Sequence, residues 1–411
     1  MAATDVKSEM KVALLTAGRD THYAYGVATA LIAKSLCLDI IGGDGLESAE
    51  WGKKSFVRFL NLRGDMREDA SLPRKITRVL IYYIRLILYA GVTKATIFHI
   101  LWNNKFESFD RVVLMLYYKI LGKKTLLTVH NVNARTRDSN DTWLNRLTLK
   151  IQYGLVDHMF VHTERMKSDL IEQFKVAGSA ISVIPYGINN AVPDMNLRPE
   201  NARRQLGIAV SDKVILFFGN IAPYKGLEYL IDAFGKVMTG GGAYQLIIAG
   251  KPKDCESYYN VIQESLERHV NRERIFLKIE HIPDEQTELY FKAADVLVLP
   301  YRYIYQSGVL FLGYNFGLPV IATDVGSLRE DIIEGETGFV CRPEDAADLA
   351  RVIEMYFASD LYRNLNSRRE EIQAYVRERH SWDVVGQLTV NEYAKLLGDR
   401  LMGEGARIVS R

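Results

Sequence analysis

Cysteine is nearly absent from this sequence: Cys37, Cys255 and Cys341 are the only three in 411 residues, with no C-x-x-C or Cys/His spacing. That excludes a disulfide framework and a thiolate zinc site, and it suits buried thiols in a reducing cytosol. Charge of one sign is equally scarce, since 52 basic and 50 acidic side chains leave a formal net charge of +2. A chain so balanced has no bulk electrostatic footprint for nucleic acid. No apolar run reaches the length of a membrane span, and the polar start MAATDVKSEMKVALL carries no secretory leader pattern. Internal repeats, low-complexity stretches, a Gly-x-Ser-x-Gly elbow and an Asp-x-Asp metal motif are also missing. No pair of strand-end carboxylates suits glycoside hydrolysis.

What is present is alternation. With 48% apolar residues the chain is too long for one ordinary core and suits two α/β domains. Short β-branched runs alternate with longer helical patterns, the mark of parallel sheets covered on both faces. Strands are expected at Val12–Leu15, Thr96–His99, Thr125–Val129, Met159–Val161 and Ser182–Ile184. A second series is expected at Val214–Phe218, Gln245–Ala249, Ile275–Lys278, Val296–Leu299, Val320–Ala322 and Gly338–Val340. Helical patterns fit between them, for example Leu227–Val237 and Asp284–Ala293. The aperiodic NNAVPDMNLRP between the series reads as a linker. The expected organisation is a first domain over 1–190, a linker over 191–199, a second domain over 200–378 and a helical segment over 379–411. Ligands of doubly wound sheets bind outside the carboxyl ends of the strands, so two such domains are expected to face a central cleft.

Two stretches of the second half carry anion-binding chemistry. In VILFFGNIAPYKGLEYL an apolar strand ends at Gly219 and Asn220, a loop carries Lys225 and Gly226, and a helix follows. Such a unit aims backbone N–H groups and a helix N-terminus at an anion, and Lys225 adds a mobile positive charge suited to a diphosphate. In DVLVLPYRYIYQSGVLFLGYNFGLPVIATDVG a strand stops at Pro300, and Gln306, Ser307, Gly308 and Val309 open an apolar helix. Two phosphate cradles in one domain suit a diphosphate with a group attached.

These residues resemble the donor domain of the retaining GT-B glycosyltransferases of family 4. Lys225–Gly226 is similar to the family's Lys-Gly, and GLPVIATDVGSLREDIIEGETGFV is similar to its Gly-x-Pro-Val-Ile-Ala-Thr run. The likeness extends through HIPDEQTELYFKAADVLVLPY, VDHMFVHTERMKSDLIEQF and ISVIPYGIN, and covers most of 120–350. It implies two Rossmann-like domains and metal-independent, hexosyltransferase-like transfer from a nucleotide-diphosphate sugar, with no cofactor. The donor contacts it implies include Ile282, beside which the base stacks, and Gly18 in the loop after the first strand. His130, with Asn131 after the strand TLLTV, falls where the family keeps a histidine close to the transferred sugar; His130 and Lys225 are therefore the expected catalytic residues. His22, His99 and Glu164 are weaker candidates for the acceptor side. Helical SWDVVGQLTVNEYAKLL resembles the segment that crosses back onto the first domain.

The sequence also departs from the pattern. Ile304 and Leu312 stand where a Glu-x7-Glu pair is usual, and Asn220 stands where an arginine is common. Arg302 is the candidate replacement. The resemblance implies an acceptor that is a saccharide or a lipid-linked saccharide, in assembly of a cell-surface polysaccharide or glycolipid. Two alternatives stay open: a UDP-sugar epimerase, and a non-catalytic nucleotide-binding subunit. The stretch RKITRVLIYYIRLILY sets Arg74, Lys75, Arg78 and Arg85 among aliphatic and tyrosine side chains. Two readings fit it: a basic amphipathic helix docked peripherally on the anionic inner membrane face, or a buried helix with its arginines at the solvent edge.

Overall fold

The computed structural model describes residues 10–65, 71–137, 140–188, 192–253 and 255–408. The chain forms two compact units: Met1–Gly187 together with His380–Arg411, and Ile188–Arg379. Residues 189–191 of the expected linker lie outside the described residues.

The first unit holds β1 (Lys11–Leu15), β2 (Cys37–Gly42), β3 (Val57–Asn61), β4 (Ile97–Ile100), β5 (Lys124–Thr128), β6 (His158–Val161) and β7 (Ile181–Val183). They form one parallel sheet in the order β3-β2-β1-β4-β5-β6-β7. The second unit holds β8 (Lys213–Phe218), β9 (Tyr244–Ala249), β10 (Ile275–Lys278), β11 (Val296–Leu299), β12 (Val320–Thr323) and β13 (Gly338–Cys341). Its parallel order is β10-β9-β8-β11-β12-β13. In both, the order reverses beside the first strand, as in a Rossmann sheet. Helices cover these strands, which explains their near-continuous apolar runs. All the expected strands are present, with ends moved by a residue or so.

β2 and β3 were not expected, and the reason is chemical. β2 carries Asp39 in its middle, a residue that strand patterns exclude. Asp39 is fully enclosed, and Arg58 of β3 grips it with two 2.7 Å hydrogen bonds. Tyr89 donates to it at 2.8 Å and Lys11 lies 3.4 Å away. Burial pushes the carboxyl up, but Arg58, Tyr89 and Lys11 together hold it below its ordinary value.

The helix Trp382–Ile408 joins the first core, where Val385, Val390, Tyr393 and Leu396 pack with strand residues such as Leu14 and Ile40. Trp382 is its keystone. A Cβ added at Gly26 would meet Trp382 Cε2 at 2.0 Å, and one at Gly187 would meet its Cη2 at 2.5 Å. Both glycines are thus required by the indole. Gly26→Ala is expected to destabilise the first unit by about 1–3 kcal/mol, the range for overpacking. Gly26→Ala combined with Trp382→Leu should recover part of the loss. Urea unfolding of the four chains checks this, and strict additivity would contradict the contact.

Candidate functional site

Each unit contributes its own cluster. In the second unit, β8 ends at Gly219, whose φ is 103°. The Gly219 carbonyl passes so close to Gly250 that a Cβ there would lie 1.8 Å from it. The turn Pro223–Lys225 follows, then Gly226 at φ 63°, then the helix Leu227–Met238. A Cβ at Gly226 would sit 2.1 Å from the Pro300 carbonyl, so this left-handed residue must be glycine.

Lys225 is buried, not mobile as the sequence suggested. Its ammonium donates to the Tyr301 hydroxyl at 2.6 Å and sits 4.0 Å from the centre of that ring. The same hydroxyl lies 3.2 Å from Ser307 Oγ. Ser307 is itself buried and is the N-cap of the helix Gly308–Asn315. Thus Tyr301, which no sequence pattern singled out, joins the two cradles into one chain, Lys225–Tyr301–Ser307. Thr323, at the end of β12, donates to the Tyr301 carbonyl at 2.6 Å and fixes the backbone.

The other donor-side candidates surround this chain unevenly. Gly308 and Val309 open the helix after Ser307, and a Cβ at Gly219 would lie 3.5 Å from Val309 Cγ2. Asn220 is half-buried and Ile282 is buried just ahead of the helix Asp284–Ala293. Arg302 is engaged with carboxylates, 3.1 Å from Glu344 and 3.9 Å from Glu228. Of the departures, Leu312 is buried inside its helix, while Gly326 packs so tightly on Ile304 that a Cβ would lie 1.7 Å from its carbonyl.

Gln306 donates to Asp331 across 3.5 Å, and its own carbonyl oxygen is buried with no hydrogen-bond partner. Burial pushes the Asp331 carboxyl up to about 7. No sequence pattern marks this group, since it sits in a short helical turn, Leu328–Asp331.

In the first unit, Gly18 follows β1 at φ 63° and His22 lies in the first turn of the helix Thr21–Ala33. His130 and Asn131 follow β5. The His130 ring stacks on Trp102 at 4.4 Å with the planes 7° apart. Tyr23 meets it edge-on at 4.8 Å and the His162 ring lies 5.2 Å away. Burial lowers the His130 pKa well below its ordinary value and that of His162 to about 4, so both are neutral at pH 7. His162 Nδ1 donates to the Ile184 carbonyl at 3.2 Å. The Nε2 atom of each ring is buried with no partner. With Nδ1 as donor, the His162 Nε2 is a bare acceptor, the form that receives a hydroxyl hydrogen.

His99 does not join them. Its Nδ1 lies 2.7 Å from Tyr393 Oη and its Nε2 2.8 Å from Thr128 Oγ1, and burial lowers its pKa to about 3. Both nitrogens are thus engaged inside the core, where His99 packs as a structural histidine would. Glu164 is exposed at the start of the helix Glu164–Phe174, capped by Thr163, where a carboxylate complements the helix dipole.

Structures similar to this chain define its class. Sucrose-phosphate synthase from Thermosynechococcus elongatus superposes with a TM-score of 0.75 at 20% identity, over 95% of this chain and 100% of that one. The Anabaena HepE protein in complex with UDP gives 0.71 at 15% identity, over 94% and 100%. The fold is GT-B, with two Rossmann-like parallel sheets. Within it, residues 199–379 match the model of the family Glycosyl transferases group 1. The chain is 27% identical over 245 residues to D-inositol 3-phosphate glycosyltransferase of Corynebacterium aurimucosum, a match covering 57% of each chain. An uncharacterized glycosyltransferase of Methanocaldococcus jannaschii is 29% identical over 236 residues, covering 56% of this chain and 58% of its own. The matches thus span little more than half the length of these relatives.

The raised Asp331 pKa has a consequence for stability. A carboxyl whose folded pKa exceeds its unfolded value stabilises fully below the unfolded pKa, and that contribution is lost as pH rises through the folded one. The window here runs from about 4 to about 7. Asp331→Asn stays neutral throughout, so it should gain on the order of 2–4 kcal/mol over the parent at pH 8 and little at pH 4. Urea midpoints at the two pH values test this; an equal effect at both refutes the assignment.

Proposed function

We propose that this chain is a glycosyltransferase that takes a nucleotide-diphosphate sugar on its second unit and transfers the sugar, with retention, to an acceptor held by the first. The observation that carries the reading is the Lys225–Tyr301–Ser307 chain within the group 1 family region. A buried ammonium and a helix N-terminus joined through one phenol suit the charge that develops on a departing diphosphate. The HepE complex with UDP supports a nucleotide-sugar donor by analogy of fold. In this reading no metal takes part, and the partnerless Nε2 of His130 accepts from a hydroxyl of the transferred sugar.

The setting we propose is peripheral, at the cytoplasmic face of a membrane, in assembly of a polysaccharide or glycolipid. Among the described residues no helix is long and apolar enough to cross a membrane. The helix Leu72–Val92 supports surface docking: Leu72, Ile76, Leu80, Ile84, Leu88 and Val92, one every fourth residue, are all exposed. Arg74 and Arg85 are exposed among them. Apolar side chains interleaved with cations suit an anionic bilayer surface.

Incubation with a panel of nucleotide-diphosphate sugars, scoring free nucleotide, transferred sugar and epimers, separates transfer from epimerisation and from inert binding. Lys225→Ala should weaken nucleoside diphosphate binding by about 1.5–3 kcal/mol, as for a charge-assisted hydrogen bond. Calorimetry on the folded variant measures it, and an unchanged affinity overturns the role. His130→Ala should cut transfer by about two orders of magnitude while leaving nucleotide affinity near the parent value. A parallel loss of both would move His130 to nucleotide binding.

A further inference from the structure

His130 is half-buried as a residue, yet its Nε2 is enclosed and without a hydrogen-bond partner. Among the described residues three rings touch its imidazole: Tyr23, Trp102 and His162. Tyr23 and His162 are themselves buried, whereas Trp102 is half-exposed. The indole is therefore the ring that stands between the imidazole and water. It also lies face to face with it, the planes 7° apart, while Tyr23 and His162 meet the imidazole at 87° and 41°.

The indole is itself held from both sides along the chain. β4 and β5 are neighbours with Ile100 opposite Leu127, so Trp102 and His130 leave the sheet at the same edge. Before Trp102, the Leu101 N–H donates to the Leu15 carbonyl at 2.9 Å. After it, Asn103 and Gln152 exchange two amide hydrogen bonds of 3.0 and 2.8 Å. Tyr23 packs edge-on against the indole at 5.7 Å. A ring pinned in this way gives the imidazole one plane to lie in, and Nε2 one direction to face. We propose that Trp102 is a positioning residue for His130: its indole fixes the plane of the imidazole and seals that ring from water. This rests on the placement of His130 at the transferred sugar proposed above, and it adds a residue that acts through the histidine without touching the sugar.

Two effects of the indole oppose each other, and their sizes decide what its removal does. An indole face favours a cation by on the order of tenfold, whereas burial disfavours a charged histidine by about a thousandfold or more. Burial is the largest influence on His130 and lowers its pKa well below the ordinary value. Letting water in therefore raises that pKa again. Around the ring, burial keeps the Tyr23 hydroxyl protonated and His162 and His99 neutral. Asp20, the N-cap of the helix that carries Tyr23, is exposed, and His380 Nδ1 donates to the Tyr186 carbonyl at 3.0 Å.

The test follows the His130 imidazole by NMR in the full chain, with its resonance assigned from His130→Gln, alongside transfer from the donor that the panel above selects. Trp102→Ala should raise the His130 titration toward that of an exposed histidine and add an acid limb to the rate profile that the parent lacks. At pH 8 it should lower kcat about tenfold or more with KM for the donor unchanged. Trp102→Phe, which restores a ring face, should regain most of the rate and remove the acid limb. Thermal melting shows which variants are folded, and Trp102→Val replaces Trp102→Ala if the latter is not. An identical His130 titration in the parent and Trp102→Ala overturns the seal. A kcat at pH 8 equal to the parent's overturns the fixed plane. A raised KM with unchanged kcat overturns positioning, because Trp102 would then hold the donor itself. Transfer that survives His130→Ala, or no transfer from any sugar of the panel, overturns the reading on which this rests, and the titration then decides the seal by itself.

Discussion

The second unit is organised around an ammonium taken out of water. Burying an ion costs several kcal/mol unless its surroundings replace the lost hydration. For Lys225 part of that replacement is Tyr301, which accepts its hydrogen bond and offers it a ring face. To place that tyrosine, the ends of β8, β11 and β12 must converge: Arg302 N bonds the Tyr224 carbonyl at 2.9 Å, and Thr323 holds Tyr301 from the other side. Gly226 has to be glycine because Pro300 presses on it, and Gly250 because Gly219 does. The glycine pattern of the carboxyl edge is thus a consequence of close backbone approach around one cation.

The first unit solves the complementary problem without charge. His130 and His162 are desolvated among Tyr23, Trp102 and each other, and this drives them neutral. Protonating either would bury a second cation beside an aromatic wall. Because its Nδ1 is engaged, the Nε2 of His162 is left as a lone-pair acceptor, and the Nε2 of His130 is likewise buried with no hydrogen-bond partner. A cationic donor cluster and a neutral acceptor cluster differ in what they stabilise. The first favours a leaving anion and the second a hydroxyl, and the proposed transfer needs both.

Much of this was legible before the structure. Parallel strands buried on two faces leave apolar runs that sequence reads directly, and Lys225 and His130 both lie in the segments that follow a strand's carboxyl end, where ligands of such sheets bind. What was not legible depends on tertiary pairing. β2 and β3 were missed because Asp39 looks forbidden until Arg58, Tyr89 and Lys11 surround it. Tyr301 and Asp331 act through partners 76 and 25 residues away, at Lys225 and Gln306, a separation that no local pattern encodes. His99 is a case where sequence could not choose: a strand-end histidine fits the acceptor side or the core equally well until its nitrogens are seen to engage Thr128 and Tyr393.

The helix Leu72–Val92 shows how such pairings also decide what a surface exposes. Its sequence left two readings open, a basic amphipathic helix docked on a membrane surface or a buried helix with its arginines at the solvent edge. Three polar contacts settle the rotation: Arg78 to Asp65, Tyr83 Oη accepting from Phe106 N at 3.0 Å, and Tyr89 donating to Asp39. With those fixed, Tyr82, Tyr83, Leu86 and Ala90 are the residues that can go inside. Turning the helix to bury Ile84 or Leu88 would strip a partner from Asp39, leaving a buried carboxylate less well compensated. Truncating one partner of a buried charge costs about 3–5 kcal/mol, more than the roughly 1.5–3 kcal/mol gained by burying one aliphatic side chain. The exposed ridge is therefore a stable product of the fold's electrostatics, not a defect of packing.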